Sequence, residues 1–177
     1  MHVTPRPLGL YLHIPFCRQK CAYCDFYSLS GQDARMDDYV DALCAHLTEA
    51  APSASVHQID TIYFGGGTPS LLGVKRLTTL LKTVCKRYHV AKDAEITLEA
   101  NPESAGDWKA LKALRKAGFN RLSLGMQSAS DAELQHIGRV HTMAQVTAAV
   151  EAARKARFEN LSLDLIYGLP GQSAEQW

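Results

Sequence analysis

The chain contains no stretch of 18 apolar residues, and no apolar run leads it. Neither a membrane-spanning helix nor a secretory leader is expected, and a cytoplasmic location follows as the default. An excess of charge of one sign is missing as well. Lys and Arg total 19 against 18 Asp and Glu, so no net field favours nucleic acid or an anionic membrane surface as a partner. Low-complexity segments and linkers do not occur. Cysteine is scarce and odd in number, with five residues in 177 and three of them crowded into one loop. That pattern argues against a disulfide framework and for metal binding in a reducing compartment. The length suits one domain with a sizeable core.

The crowded cysteines are Cys17, Cys21 and Cys24, spaced C-x3-C-x2-C just after the extended segment 10–15. Thiolates this close can converge on one soft centre, either zinc or an iron–sulfur cluster. A closed zinc site needs a fourth ligand, and no further cysteine stands at a partner spacing, although His13 could complete a Cys3His set. Three thiolates on a cubane of four irons leave one iron open, which is what substrate or cofactor chemistry needs. Cys44 and Cys85 fall on the apolar stripes of helical patterns and read as buried small apolar residues.

Strand-like segments at 10–15, 59–64, 94–99, 121–127 and 161–166 alternate with helical patterns at 36–50, 72–88, 106–117 and 131–156, the last broken around Gly138. This order predicts a parallel α/β architecture. Strands buried on both faces read as continuous apolar runs, but these alternate. Ile96 and Leu98 oppose Glu95, Thr97 and Glu99; Leu122, Leu124 and Met126 oppose Arg121, Ser123 and Gln127; Leu161, Leu163 and Leu165 oppose Ser162 and Asp164. One face of each strand is apolar and the other polar. Helices over the apolar faces, and polar faces turned together, describe an incomplete barrel with a hydrophilic lumen. Glu99, Gln127 and Asp164 lie late on their strands, at the end where β/α barrels place their sites. The run Gly65-Gly66-Gly67-Thr68 follows the second strand but is neither a P-loop nor the spaced dinucleotide fingerprint. It admits close approach of backbone to a ligand.

With these residues in view, Cys17-x3-Cys21-x-Tyr23-Cys24 resembles the cluster motif of the radical S-adenosylmethionine (SAM) enzymes. The longer run Tyr11-Leu12-His13-Ile14-Pro15-Phe16-Cys17, followed by Cys21-Ala22-Tyr23-Cys24-Asp25-Phe26, is similar to one branch of them. That branch holds the oxygen-independent coproporphyrinogen III oxidases and the HemW heme chaperones. The resemblance implies a [4Fe–4S] cluster on Cys17, Cys21 and Cys24, SAM chelated at the open iron, and cleavage of SAM to a 5′-deoxyadenosyl radical. It also implies that Tyr11 is the aromatic preceding the cluster ligands and that Tyr23 lies beside the adenine. Gly66, Gly67 and Thr68 match the loop receiving SAM's amino group through backbone contacts. Glu99 and Gln127 match SAM contacts from the third and fourth strands, Arg139 a donor to its carboxylate, and Asp164 an acceptor for its ribose hydroxyls. Acceptors for ammonium and hydroxyl groups, with a charged donor for a carboxylate, suit such a ligand. No residue is assigned a catalytic role.

Two departures narrow the resemblance. The oxidase branch carries a further cysteine two residues after the third ligand, where this chain has Phe26. Asp25-Phe26-Tyr27-Ser28 instead resembles the HemW branch. A carboxylate at Asp25 would repel a polycarboxylate substrate, and the rings of Phe26 and Tyr27 are expected to pack on the loop. Family members also continue into a sixth β/α unit and a C-terminal domain. Residues 1–177 therefore read as part of a radical SAM core of about five β/α units, with a free strand edge at Leu161, Leu163 and Leu165. The reading is a HemW-like heme chaperone that binds heme as cargo outside these residues. It would serve acceptor hemoproteins and take electrons from a donor such as a flavodoxin or ferredoxin. Two rivals stand beside it: oxidative decarboxylation of coproporphyrinogen III, and a zinc-stapled binding module without redox chemistry.

Overall fold

The computed structural model describes residues 6–175 and 177. In chain order its elements are β1 (Arg6–Ile14), β2 (Phe16–Cys17), β3 (Leu29–Ser30), α1 (Met36–Ala50), β4 (His57–Gly66), α2 (Gly73–Arg87) and β5 (Val90–Ala100). They continue with α3 (Trp108–Ala117), β6 (Arg121–Gln127), α4 (Asp131–His136), α5 (Met143–Lys155) and β7 (Asn160–Leu165). Strands β1, β4, β5, β6 and β7 lie side by side in that order and pair in parallel throughout. Each strand is laid beside the one before it, so the crossovers wind in one sense. A doubly wound sheet would reverse at a switch point. Sequential winding is the path of a β/α barrel, and here it makes a partial one.

Helices α1, α2, α3 and α5 form a row against one face of the sheet, each packed on its neighbour. The spacing of their apolar residues explains why. In α2, Leu77, Leu80, Leu81 and Val84 form one buried stripe. In α1, Met36, Val40 and Leu47 do the same, with Leu43 and Cys44 half-buried beside them. Beneath lie Ile14, Phe64, Leu98, Leu122 and Leu124, all fully buried. Asp107 caps α3 by accepting from the Lys109 N–H at 2.8 Å, and Gly118 ends it at φ 127°. That turn sends Phe119 under the sheet, edge-on to Phe64 at 5.0 Å.

The structure departs from the sequence reading in several places. β5 begins at Val90 rather than 94, whereas 131–156 does divide into two helices around Gly138, at φ 77°, as its pattern predicts. Cys85 is exposed, not buried; the buried stripe of α2 has ended by the last turn, where Lys86 and Arg87 flank the thiol. The lumen is not simply open to water. Thr97 and Ser123 are only 1% and 3% exposed, and the register pairs Thr97 with Arg121, and Ser123 with both Glu99 and Ser162. Arg121 donates to Thr97 and Ser162 at 3.2 Å each, so the middle of the polar face is a hydrogen-bonded layer. β7 ends the sheet, with Leu163 and Leu165 exposed. Among the described residues no helix is long and apolar enough to cross a membrane.

Candidate functional site

Pro15 cannot donate to the sheet, and the chain leaves β1 there. The short parallel pair of β2 and β3 brings the ends of the cysteine loop together, helped by the Leu29 N–H donating to the Pro15 carbonyl at 2.6 Å. Inside the loop, Lys20 Nζ donates to the Phe26 carbonyl at 2.7 Å and to Ser28 Oγ at 3.3 Å. His13 Nε2 donates to the Tyr27 carbonyl at 2.9 Å. From outside, the turn after α4 clamps it: the Ala22 N–H reaches the Ile137 carbonyl at 3.2 Å, and Gln19 Nε2 reaches that of Gly138 at 3.4 Å. The loop is therefore held at both ends and along its middle. Its three thiols are free, half-buried, and open onto one cavity of about 540 Å³.

The opposite wall of that cavity is the polar face of the sheet. Glu99 accepts from Tyr63 Oη at 2.7 Å and from the Gly66 N–H at 3.0 Å. Burial, and then the Glu99 carboxylate, push the Tyr63 hydroxyl pKa upwards, so it remains a donor. The Gly67 and Thr68 N–H groups are engaged by the carbonyls of Ile14 and Phe16 at 2.8 and 2.7 Å. Any backbone contact this loop makes to a ligand is therefore through carbonyl oxygens, the polarity an ammonium group needs. A Cβ on Gly67 would lie 2.7 Å from the Phe16 carbonyl and 3.0 Å from Cys17 Sγ. Only glycine lets the loop approach the first cysteine so closely.

On β7, Asp164 is oriented by Ser123, whose hydroxyl faces both carboxylate oxygens at 3.2 Å. Gln127 closes β6 at φ 69°, a left-handed conformation costing a non-glycine residue on the order of 1–3 kcal/mol and typical of ligand clamps. Arg139 reaches the cavity from the turn after α4. Its Nη2 donates to Asn101 Oδ1 at 2.7 Å and to the Gly125 carbonyl at 2.9 Å, and its Nη1 donates to Cys21 Sγ at 3.6 Å. A Cβ on Gly125 would meet Gln127 Nε2 at 2.9 Å, Asn101 Oδ1 at 3.0 Å and Arg139 Nη2 at 3.3 Å, so three polar side chains converge where only glycine fits. Tyr23 borders the same space, and partial burial pushes its hydroxyl pKa up to about 12.

Cys17, Cys21, Cys24, Tyr23, Gly66, Gly67, Thr68, Glu99, Gln127, Arg139 and Asp164 thus come together around one cavity. Tyr11 does not line it. Tyr11 stacks on Tyr63 at 5.9 Å and 20°, one ring removed from Glu99. Phe26 and Tyr27 do not pack on their loop as expected: they are 69% and 72% exposed, with Phe26 bordering the cavity and the Tyr27 ring 6.3 Å from that of His13, while Lys20 and His13 hold the loop by its carbonyls. Tyr63, Asn101 and Ser123 are additions to the sequence-based set. Ser123 carried a signal, since it shares the polar alternation of Glu99. Asn101 carried only its position directly after β5.

The donor set suits a cluster better than zinc. A zinc ion closed by these three thiolates would need a fourth ligand, whereas a cubane takes one thiolate at each of three iron corners and leaves the fourth corner open. His13, the fourth ligand a zinc site would need, is engaged with Tyr27. A glycine cradle beside Cys17, a charged donor on Cys21 and room beyond the thiols fit a cluster with a ligand next to it.

The family model of the radical SAM superfamily matches residues 11–177. Among curated relatives, the heme chaperone HemW of Mycobacterium tuberculosis (strain CDC 1551 / Oshkosh) is 44% identical over 172 residues, 95% of this chain and 44% of that protein. HemW of Escherichia coli (strain K12) is 42% identical over 172 residues, 96% of this chain and 45% of that protein. Among solved structures, the coproporphyrinogen III oxidase HemN of Escherichia coli superposes with a TM-score of 0.89 at 34% identity, covering 97% of this chain and 40% of that one. The chain spans less than half the length of the relatives it matches.

Proposed function

Because the chain belongs to the radical SAM superfamily, we propose that it is the cluster- and SAM-holding part of a HemW-like heme chaperone. The observation that carries this is the meeting of three free thiols with an ordered polar wall across one cavity. Cys17, Cys21 and Cys24 hold a [4Fe–4S] cluster and leave one iron for SAM. When bound, the pair supplies one-electron chemistry at the barrel mouth. Glu99, its acceptor oxygens set by Tyr63 and Gly66, takes the ligand's ammonium together with the Gly66–Thr68 carbonyls. Arg139 offers its guanidinium to the carboxylate. Asp164, oriented by Ser123, accepts from ribose hydroxyls, and Gln127 adds an amide. Tyr23 offers a ring face to the adenine, and Tyr11 acts at one remove by packing on Tyr63.

Heme is cargo on this reading, held by residues beyond this chain and passed to acceptor hemoproteins in the cytoplasm. A flavodoxin or ferredoxin supplies the electron. Support comes from relatives named as heme chaperones at 44% and 42% identity, and from Phe26 standing where the oxidase branch has a cysteine. One observation favours the oxidase instead, the close superposition on a coproporphyrinogen III oxidase. The two readings separate in one experiment, on a chain extended to the length of its relatives and loaded anaerobically with iron and sulfide. The chaperone reading expects heme binding, and no protoporphyrinogen IX from coproporphyrinogen III with SAM and a reductant. Phe26→Cys should not create that activity. Multiple-turnover decarboxylation by the unmodified protein would overturn the chaperone; zinc without visible absorption would overturn both.

A further inference from the structure

Cys17 and Cys21 are joined by side chains as well as by backbone. Thr68 Oγ1 donates to Cys17 Sγ at 3.7 Å, and Asn101 Nδ2 donates to Thr68 Oγ1 at 3.0 Å. From the other end of the amide, Asn101 Oδ1 accepts from Arg139 Nη2 at 2.7 Å, and Arg139 Nη1 donates to Cys21 Sγ at 3.6 Å. Both ends of the relay donate to sulfur. That polarity requires a central group which donates on one side and accepts on the other, and a primary amide does this with a single planar unit. Thr68 is only 3% exposed. With its oxygen taken by Asn101, its O–H is left for the sulfur. Among the described residues Arg139 Nε is buried without a hydrogen-bond partner, and the guanidinium is held by Asn101, the Gly125 carbonyl and Cys21. Gly125 bounds the amide from below, since a Cβ there would lie 3.0 Å from Oδ1.

Resting on the cofactor reading above, we propose that Asn101 is a positioning residue that aims the Thr68 hydroxyl at Cys17 and the Arg139 guanidinium at Cys21. It thereby couples the carboxylate-binding arginine to the redox poise of the cluster. Hydrogen bonds to ligating sulfurs favour the more negative, reduced form, so loosening them lowers the reduction potential.

The test uses the 177-residue chain loaded anaerobically with iron and sulfide. Iron content, midpoint potential by redox titration and the SAM dissociation constant are measured for the unmodified chain, Asn101→Ala and Asn101→Asp. Asn101→Ala should keep its iron, titrate at a lower potential and bind SAM on the order of tenfold more weakly. Asn101→Asp keeps the acceptor for Arg139 but loses the donor to Thr68. It should bind SAM within about threefold of the unmodified chain while still titrating lower. Because Asn101→Asp also adds a negative charge, Thr68→Val, which removes the hydroxyl and adds no charge, should titrate lower as well; a purely structural role of Asn101 would not predict that agreement. Should Asn101→Ala lose iron, Asn101→Asp carries the test alone. Full iron content with unchanged potential and affinity in either variant overturns the proposal. An unmodified chain that takes up no cluster overturns the cofactor reading instead.

Discussion

The two faces of the sheet bury side chains to nearly the same degree for opposite reasons. On the helix-covered face Leu98, Leu122 and Leu124 are fully buried and carry no polar atom that needs a partner. On the inward face Thr97 and Ser123 are almost as buried, and each hydroxyl is engaged across the strands, Thr97 by Arg121 and Ser123 by Asp164 and Ser162. Burial therefore does not distinguish structure from function in this protein. The pairing does. An apolar face tolerates exchange of one well-packed hydrocarbon for another. A buried hydroxyl deprived of its partner costs about 1–3 kcal/mol, so the inward face holds its geometry only as a set, and that geometry is what a ligand meets.

The sharpest break removes the cofactor and leaves both faces alone. Cys17→Ala, Cys21→Ala and Cys24→Ala should each abolish the cluster completely, whereas Cys44→Ala and Cys85→Ala should keep it. Iron and sulfide analysis after anaerobic loading reads the difference, and a full cluster in Cys21→Ala would sink the ligand assignment. Next in size is the apolar face. Leu98→Ala empties a site that is 0% exposed and should lower the unfolding free energy by about 2–5 kcal/mol in urea titrations. A loss under about 1 kcal/mol would mean the core lies elsewhere.

The polar face should respond in affinity rather than stability. Glu99→Ala, Gln127→Ala and Asp164→Ala should each weaken SAM binding ten- to hundred-fold, about 1.5–3 kcal/mol, with iron content intact. If all three bound SAM normally, the contrast between the faces would collapse.

The smallest effect is a pH dependence just behind that face. His141 is 3% exposed, donates from Nε2 to the Met126 carbonyl at 3.1 Å, and holds Nδ1 3.8 Å from Glu103. Burial first, and then the charge of Arg139, lower its pKa below the ordinary 6.5; the hydrogen bond to Met126, and after it Glu103 and Asp131, oppose this without prevailing. The fold thus prefers the neutral ring. Its contribution is complete above about pH 6.5 and is lost as the pH falls below that towards the folded-state pKa. Between pH values of about 6.5 and 5 the urea midpoint of the unmodified chain should fall more steeply than that of His141→Gln. Parallel slopes would show that the ring titrates as freely in the fold as out of it.

Much of this was legible in the residues. Alternation of period two named the inward-facing side chains before any strand was placed, because successive residues of a strand must point to opposite faces. Helical spacing put Cys85 on the apolar stripe of its helix, but the stripe outruns the packed layer there and the thiol is exposed. The orientation of Phe26 and Tyr27 was not legible, since nothing local shows that Lys20 and His13 hold the loop by its carbonyls.

What the sequence by itself determined was each residue's face and the order of the elements, both set by spacing along the chain. What only the tertiary structure decided was which of these residues meet. Arg139 reaches Cys21 across 118 positions, and Asn101 reaches Thr68 across 33. Such encounters depend on how parallel strands align and on where the turn after α4 lands against the cysteine loop. No local pattern carries that information, because a strand shifted by two residues would keep every side chain on its face and change every partner.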